Sequence, residues 1–141
     1  MSPEQKTLVQ VTWRQLVPIA DTAASMFYGR LFWIDPSARD LFAGVDLEKQ
    51  RGKLIQALTM VVGALDRIDE LVPTIADLGR RHAGYGVTDD HYDSVGAALM
   101  WSLEEGLGNA WNAEVKAAWA AAYDLLSGVM REGANEVAAT A

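Results

Sequence analysis

The sequence predicts an all-α chain of seven or eight helices forming one domain over residues 1–141. Apolar residues recur at three- and four-residue spacing along most of the chain. Val, Ile and Thr never alternate long enough for a convincing strand. All four prolines stand where a helix could begin, and none is expected to interrupt a long periodic segment.

The elements follow in order. Ser2-Pro3-Glu4-Gln5 reads as a capping box, opening a helix to about Val17 striped by Leu8, Val9, Val11, Thr12 and Leu16. Pro18 opens a second helix, with Ile19, Ala20, Ala23, Met26, Phe27 and Leu31 on one stripe. Pro36 starts a brief helix ending near Leu41-Phe42, and Ala43-Gly44-Val45 loops. From Asp46 a long helix carries Leu47, Leu54, Leu58, Val61, Val62 and Leu65. The spacing predicts a further helix near 71–83 with Leu71, Ile75, Leu78 and His82 on one face, ended by Gly84 and Gly86. Thr88-Asp89-Asp90 supplies a cap and an acidic first turn for a helix to about Glu105. Asn112 caps a last long helix striped by Val115, Trp119, Ala122, Leu126 and Val129.

Composition narrows the function classes. Twelve Lys and Arg against nineteen Asp and Glu give a net charge of −7, with no basic block for nucleic acid. The absence of cysteine excludes disulfides, iron–sulfur clusters, cysteine zinc sites and thiolate-ligated haem. The longest charge-free run, Leu54 to Leu65, falls short of the roughly 20 residues a membrane helix needs. The first residues show no apolar signal core, so a cytoplasmic protein without a second catalytic domain is expected.

Polar residues on apolar stripes are the informative ones. His82 shares its face with Leu71, Ile75 and Leu78, and its plainer alternative is a core histidine held by a carbonyl. Gln50 heads the face of Leu54 and Leu58, or sits at the solvent edge of a helix start. Tyr28 lies one turn after Ala24, or is simply a core aromatic with a wet hydroxyl. His91, in a polar first turn, reads as surface. Two histidines without clustered carboxylates do not make a zinc site, and no Glu-x-x-His pair supports a di-iron bundle. No G-x-S-x-G elbow supports a serine hydrolase. Haem fits the inventory, because its iron needs one imidazole and leaves the other axial position for a gas.

The order Phe27-Tyr28-Gly29-Arg30-Leu31-Phe32, Pro36, Leu41-Phe42, then Leu78-Gly79-Arg80-Arg81-His82, Tyr85-Gly86-Val87, Tyr92 and Val95-Gly96 carries a specific pattern. With Trp119 and Tyr123 in the last helix, the chain resembles single-domain bacterial globins related to the globin part of flavohaemoglobins, along nearly its whole length. The resemblance implies a globin fold around haem b (iron protoporphyrin IX) with His82 as the proximal iron ligand. It places Gln50 at the distal position, Leu54 as a wall of the ligand pocket, Tyr28 with its hydroxyl toward the ligand, and Phe42 wedged against the porphyrin. Val95 is implied among the haem-contacting residues. Lys53 is near enough in sequence to reach a haem propionate, or belongs to a solvated face. Tyr92 and Glu136 match the pair that hydrogen-bonds the proximal imidazole in flavohaemoglobins. Glu136 requires the last helix to run on through Gly133, and Glu132 is the substitute one turn earlier.

Two distal donors would slow release of bound dioxygen, and a carboxylate behind the imidazole would favour oxidised iron, so the residues lean toward reaction over transport. The leading expectation is conversion of nitric oxide to nitrate using bound dioxygen. Non-enzymatic oxygen storage or delivery is the runner-up, with ligand sensing or weak peroxidase activity behind it. The flavin- and nicotinamide-binding reductase of flavohaemoglobins does not follow residue 141, so a separate reductase is the expected partner. Dioxygen, nitric oxide and carbon monoxide are the expected ligands, and the chain is expected as a monomer or weak homodimer.

Overall fold

The computed structural model describes the backbone through residue 140 and the side chains through residue 135. Seven α-helices are present among the described residues: α1 (Pro3–Leu16), α2 (Ala20–Ile34), α3 (Pro36–Asp40), α4 (Leu47–Gly63), α5 (Ile68–Gly84), α6 (Asp89–Leu107) and α7 (Ala113–Thr140). Short 3-10 turns lead into α2, α5 and α7, and no strand occurs among the described residues. No described helix is long and apolar enough to cross a membrane.

The helix starts follow local chemistry. Gln5 N–H donates to Ser2 Oγ at 3.1 Å while Ser2 N–H donates to Gln5 Oε1 at 3.0 Å, the reciprocal box that opens α1. Asp46 accepts from the backbone of Glu48 and Lys49 at the start of α4, and Asn112 accepts from Val115 N–H at 2.9 Å at the start of α7. Thr88 caps α6, where its own N–H donates to His91 Nδ1 at 2.9 Å. His91 is therefore half-buried and a capping partner, where an exposed surface residue was expected.

Three expectations are corrected. α5 begins at Ile68, a turn before the expected start, and Pro73 lies inside it. Lacking an N–H, Pro73 leaves the Asp69 carbonyl without its helical donor, but Asp69 and Glu70 complement the positive end of the helix. Leu47 is 36% exposed rather than in the core. Trp13, absent from the expected stripe of α1, is buried and meets Trp119 of α7 in a tilted contact with ring centroids 6.1 Å apart.

The main core joins α1, α2, α4, α6 and α7 around Val9, Phe27, Leu31, Leu65, Leu103 and Trp119. Its one deep polar link is satisfied. Thr12 Oγ1 donates to Leu8 O at 2.6 Å and accepts from Trp119 Nε1 at 2.9 Å, tying α1 to α7. A smaller cluster of Ile75, Tyr92 and Met130 joins α5, α6 and α7.

α5 and α7 cross with their backbones nearly touching. A Cβ on Gly79 would come within 1.9 Å of the Met130 carbonyl oxygen, and one on Gly133 within 2.2 Å of the Ala76 oxygen. Gly133 thus sits at a contact that only glycine permits, and α7 continues through it to Thr140. Gly128, with nothing within 4 Å of its virtual Cβ, has no such role. Gly79→Ala should destabilise the protein by about 1–3 kcal/mol through overpacking. Gly128→Ala should stabilise it by about 0.5–1 kcal/mol through lower chain entropy. Urea unfolding of both variants would check the opposite signs.

Candidate functional site

α4 and α5 follow one another through the short turn Leu65–Arg67 yet hardly touch along their lengths. Each turns a stripe of half-buried residues inward: Gln50, Leu54 and Leu58 on α4, and Leu71, Leu78 and His82 on α5. Helices with apolar stripes normally close on each other, so two that stay apart leave room for something else.

His82 has one ring nitrogen engaged. Its Nδ1 donates to the Leu78 carbonyl at 2.6 Å, one turn back on α5. That bond fixes the tautomer with the proton on Nδ1 and leaves Nε2 with a lone pair. No partner occupies Nε2 among the described residues, and the ring meets Tyr85 edge-on at 6.0 Å. No described cluster of three His, Asp or Glu side chains could hold a bare metal ion, so one imidazole suits a metal that brings its other ligands with it.

Tyr28 on α2 is buried and clasped by aromatic rings. Phe27 and Phe42 meet it edge-on at 5.0 and 5.4 Å, and Phe32 lies at 6.1 Å. Burial pushes its phenol above the ordinary value of 10.0, while a hydrogen bond with the Gln50 side chain opposes that rise. Tyr28 therefore stays protonated at neutral pH. The structure thus brings Tyr28 and Gln50 together, with Leu54 one turn from Gln50 and packed on the main core.

Phe42 is half-buried and borders an open hollow of about 370 Å³ with Phe32, Val45 and Leu47. Neither Tyr28, Gln50 nor His82 lines that hollow. Val95 packs against the main core from α6, and Lys53 is exposed on α4.

On the other side, Tyr92 is buried with Ile75 and Met130, and its hydroxyl has no hydrogen-bond partner among the described residues. An orphaned buried hydroxyl is costly unless a further group meets it. Burial also raises its phenol. The Glu136 side chain lies outside the described residues, and Glu132 is exposed. Sequence reasoning gave no role to Arg131, whose guanidinium covers the Tyr92 ring at 5.0 Å while reaching Asp93 Oδ1 at 3.1 Å. Nothing in the linear pattern pairs those positions. Tyr123 donates its hydroxyl to the Tyr92 carbonyl at 2.5 Å.

The globin family pattern matches residues 25–130. The chain belongs to the globin family. It is 35% identical over 134 residues to a flavohemoprotein of Bordetella parapertussis, covering 92% of this chain and 33% of that protein. The globin therefore spans about a third of the length of that relative. It is 28% identical to an anaerobic nitrite reductase of Oryza sativa subsp. indica, covering 97% of this chain and 98% of the other. Among solved structures it resembles an engineered carbene transferase from a candidate nitric oxide dioxygenase of Rhodothermus marinus. That likeness has TM-score 0.86 and 28% identity over 99% of this chain and 97% of the other. As a globin the protein carries haem. The free Nε2 of His82, the parted α4 and α5 and the orphaned Tyr92 hydroxyl all fit that group.

Asp35, at the corner between α2 and α3, holds the segment leading to Phe42. It accepts from Ser37 Oγ at 2.5 Å and from Ser94 Oγ of α6 at 3.1 Å. These bonds, Ser37 foremost, hold its carboxyl below the ordinary 3.8. A lowered folded value means the stabilisation is complete above the unfolded value and is lost as pH falls through the folded one. The stability advantage of the wild type over Asp35→Asn should shrink as pH falls below about 4, as read by urea unfolding at each pH.

Proposed function

We propose that this globin binds haem b between α4 and α5, with His82 as its protein ligand to iron, and oxidises nitric oxide to nitrate. Nitric oxide, dioxygen and one electron from a separate reductase balance to one nitrate ion. The haem iron would supply the position that holds dioxygen and would relay that electron. The observation that carries the reading is the buried Tyr28 phenol, clasped by Phe27, Phe32 and Phe42.

Tyr28 is built to hold a partly anionic ligand. Its ring cannot swing away, because Phe27, Phe32 and Phe42 surround it. Its phenol stays protonated, raised by burial above its ordinary range, and so has a proton to donate. Leu54 would exclude water beside this pair and shape the approach of the second gas. On the proximal side, the Leu78 carbonyl would hold the imidazole plane and make Nε2 a stronger donor. Tyr92 would lend there a hydroxyl that has no partner among the described residues, and the resemblance to flavohaemoglobins makes Glu136 the candidate carboxylate to pair with it. Phe42 and Val95 would contact the porphyrin, and the exposed Lys53 would meet a propionate at the rim. The likeness to flavohemoproteins and to the Rhodothermus marinus protein supports this chemistry.

Nitric oxide added to the oxygenated protein should yield nitrate and oxidised haem rapidly; a persistent oxygenated spectrum would instead favour storage or delivery. Tyr28→Phe should speed oxygen release by roughly ten- to over one-hundred-fold, the loss of one hydrogen bond to a charged partner of about 1.5–3 kcal/mol. His82→Ala should abolish the normal ferrous and ferric haem spectra.

A further inference from the structure

His91 links two stretches of the chain that are distant in sequence. The Thr88 backbone N–H can only donate, so His91 Nδ1 accepts it at 2.9 Å and the neutral ring carries its one proton on Nε2. Nε2 lies 3.4 Å from Ser37 Oγ and donates to it, and Ser37 Oγ donates in turn to Asp35 Oδ1 at 2.5 Å. Ser94 Oγ of α6 donates to the other Asp35 oxygen at 3.1 Å. The bonds therefore run in one direction, from Thr88 through His91 and Ser37 to Asp35.

Both ends of this path touch the candidate site. Val87, just before Thr88, donates its N–H to the His82 carbonyl at 3.1 Å, and Tyr92 directly follows His91. Asp35 caps α3, the helix that leads to Phe42. His91 thus fastens the segment between His82 and Tyr92 to the corner between α2 and α3.

That hold depends on one lone pair. Gln or Glu usually fills this third helical position of a capping box and accepts the cap N–H without titrating near neutral pH. An imidazole accepts only while neutral, because its second proton has no place but Nδ1. Protonation would set N–H against N–H and break the bond from Thr88. The positive end of α6 repels an imidazolium, while Asp35 faces it from the corner. On its own helix Asp89 and Asp90 precede it, and Asp93 follows, engaged by Arg131 of α7. The charged residues of α3, Arg39 and Asp40, border the hollow beside Phe42. The chain has two histidines, and the proposed function commits His82 to iron, so a response to pH through imidazole falls to His91.

We propose that His91 is a positioning residue for the proximal segment, fastening it to the corner between α2 and α3 when neutral and releasing it when protonated, so that the iron–His82 bond varies with pH. The fastening stands on the hydrogen bonds themselves, whereas its effect on iron rests on His82 as the ligand.

NMR of the haem-loaded full chain, reduced and bound to carbon monoxide, follows both ends of the Thr88–His91 bond between about pH 8 and pH 5. The His91 ring nitrogens should report the Nε2–H tautomer at the alkaline end, and the Thr88 amide should shift with the same midpoint as His91. An Nδ1–H tautomer, a ring that takes up no proton in this range, or a Thr88 amide that ignores it would overturn the fastening. His91→Gln keeps the acceptor without the titrating group, so it should fold and hold the Thr88 amide constant. Asp35→Asn removes the carboxylate facing the ring and should move the midpoint to lower pH; an unmoved midpoint would overturn the path to the corner. Resonance Raman of the reduced, ligand-free protein then reads the iron–histidine stretching band. It should shift with the His91 midpoint in the wild type and stay fixed in His91→Gln. A band that is constant in the wild type, or that moves equally in the Gln variant, would overturn the effect on iron. If His82→Ala keeps the band, the ligand assignment fails with that effect, while the Thr88 and His91 titrations still decide the fastening.

Discussion

The backbone crossing of α5 and α7 fixes the rest of the molecule. Side chains normally keep helix axes 8–10 Å apart, and that spacing tolerates small shifts. At Gly79 and Gly133 there is no side chain, so the main chain of each helix rests on that of the other. Such a contact has little freedom to slide, because any shift drives backbone into backbone. Gly79 precedes His82 by less than one turn, so the position of the imidazole is set by a contact that cannot relax. The Leu78 carbonyl that orients His82 belongs to the same turn.

From that crossing α7 acts as a spine for the proximal side. Tyr123 lies flat enough on α6 that a Cβ at Gly96 would come within 2.8 Å of its ring, and its hydroxyl ends on the Tyr92 carbonyl. Arg131 then covers Tyr92 and engages Asp93. The distal side is held by different means. Tyr28 is fixed by aromatic packing rather than backbone contact, and Gln50 comes from α4, a helix whose inner stripe is only half-buried. The proximal side thus rests on backbone contact and the distal side on aromatic packing.

Much of this was legible in the sequence. The periodic stripes, the capping residues of α1, α4, α6 and α7, and the inward His82 all follow from spacing and local hydrogen bonding. The misreadings share a cause. Gly133 looked like a threat to the last helix because its partner, Ala76, is remote in the chain, and glycine's helix cost is visible locally while its packing gain is not. Pro73 looked like a helix start because the missing N–H argues locally, whereas packing of Ile75 into the cluster with Tyr92 and Met130 carries the helix through it. Leu47 matched its stripe by number, yet the first turn of α4 projects beyond the core beside Phe42. Arg131 carries no periodic signal at all, since its contact with Tyr92 joins two helices across the proximal side.

The parting of α4 and α5 is the feature that joins fold to function. Leu54, Leu58, Leu71 and Leu78 are placed by sequence on inward faces, yet remain half-buried because their helices do not close on one another. Each keeps apolar surface whose burial would be worth about 25 cal/mol per Å². The α5–α7 crossing prevents α5 from moving to meet α4, so the chain cannot complete this part of its core with its own residues. A flat apolar group placed there would complete it, and its binding free energy would add directly to that of folding. At a ligand concentration 1,000-fold above the dissociation constant that linkage amounts to about 4.1 kcal/mol, a large share of the roughly 5–15 kcal/mol that stabilises an ordinary domain. The glycine contact beside His82 also holds α5 away from α4, so on the proposed function one local constraint would serve both the iron ligand and the haem it holds.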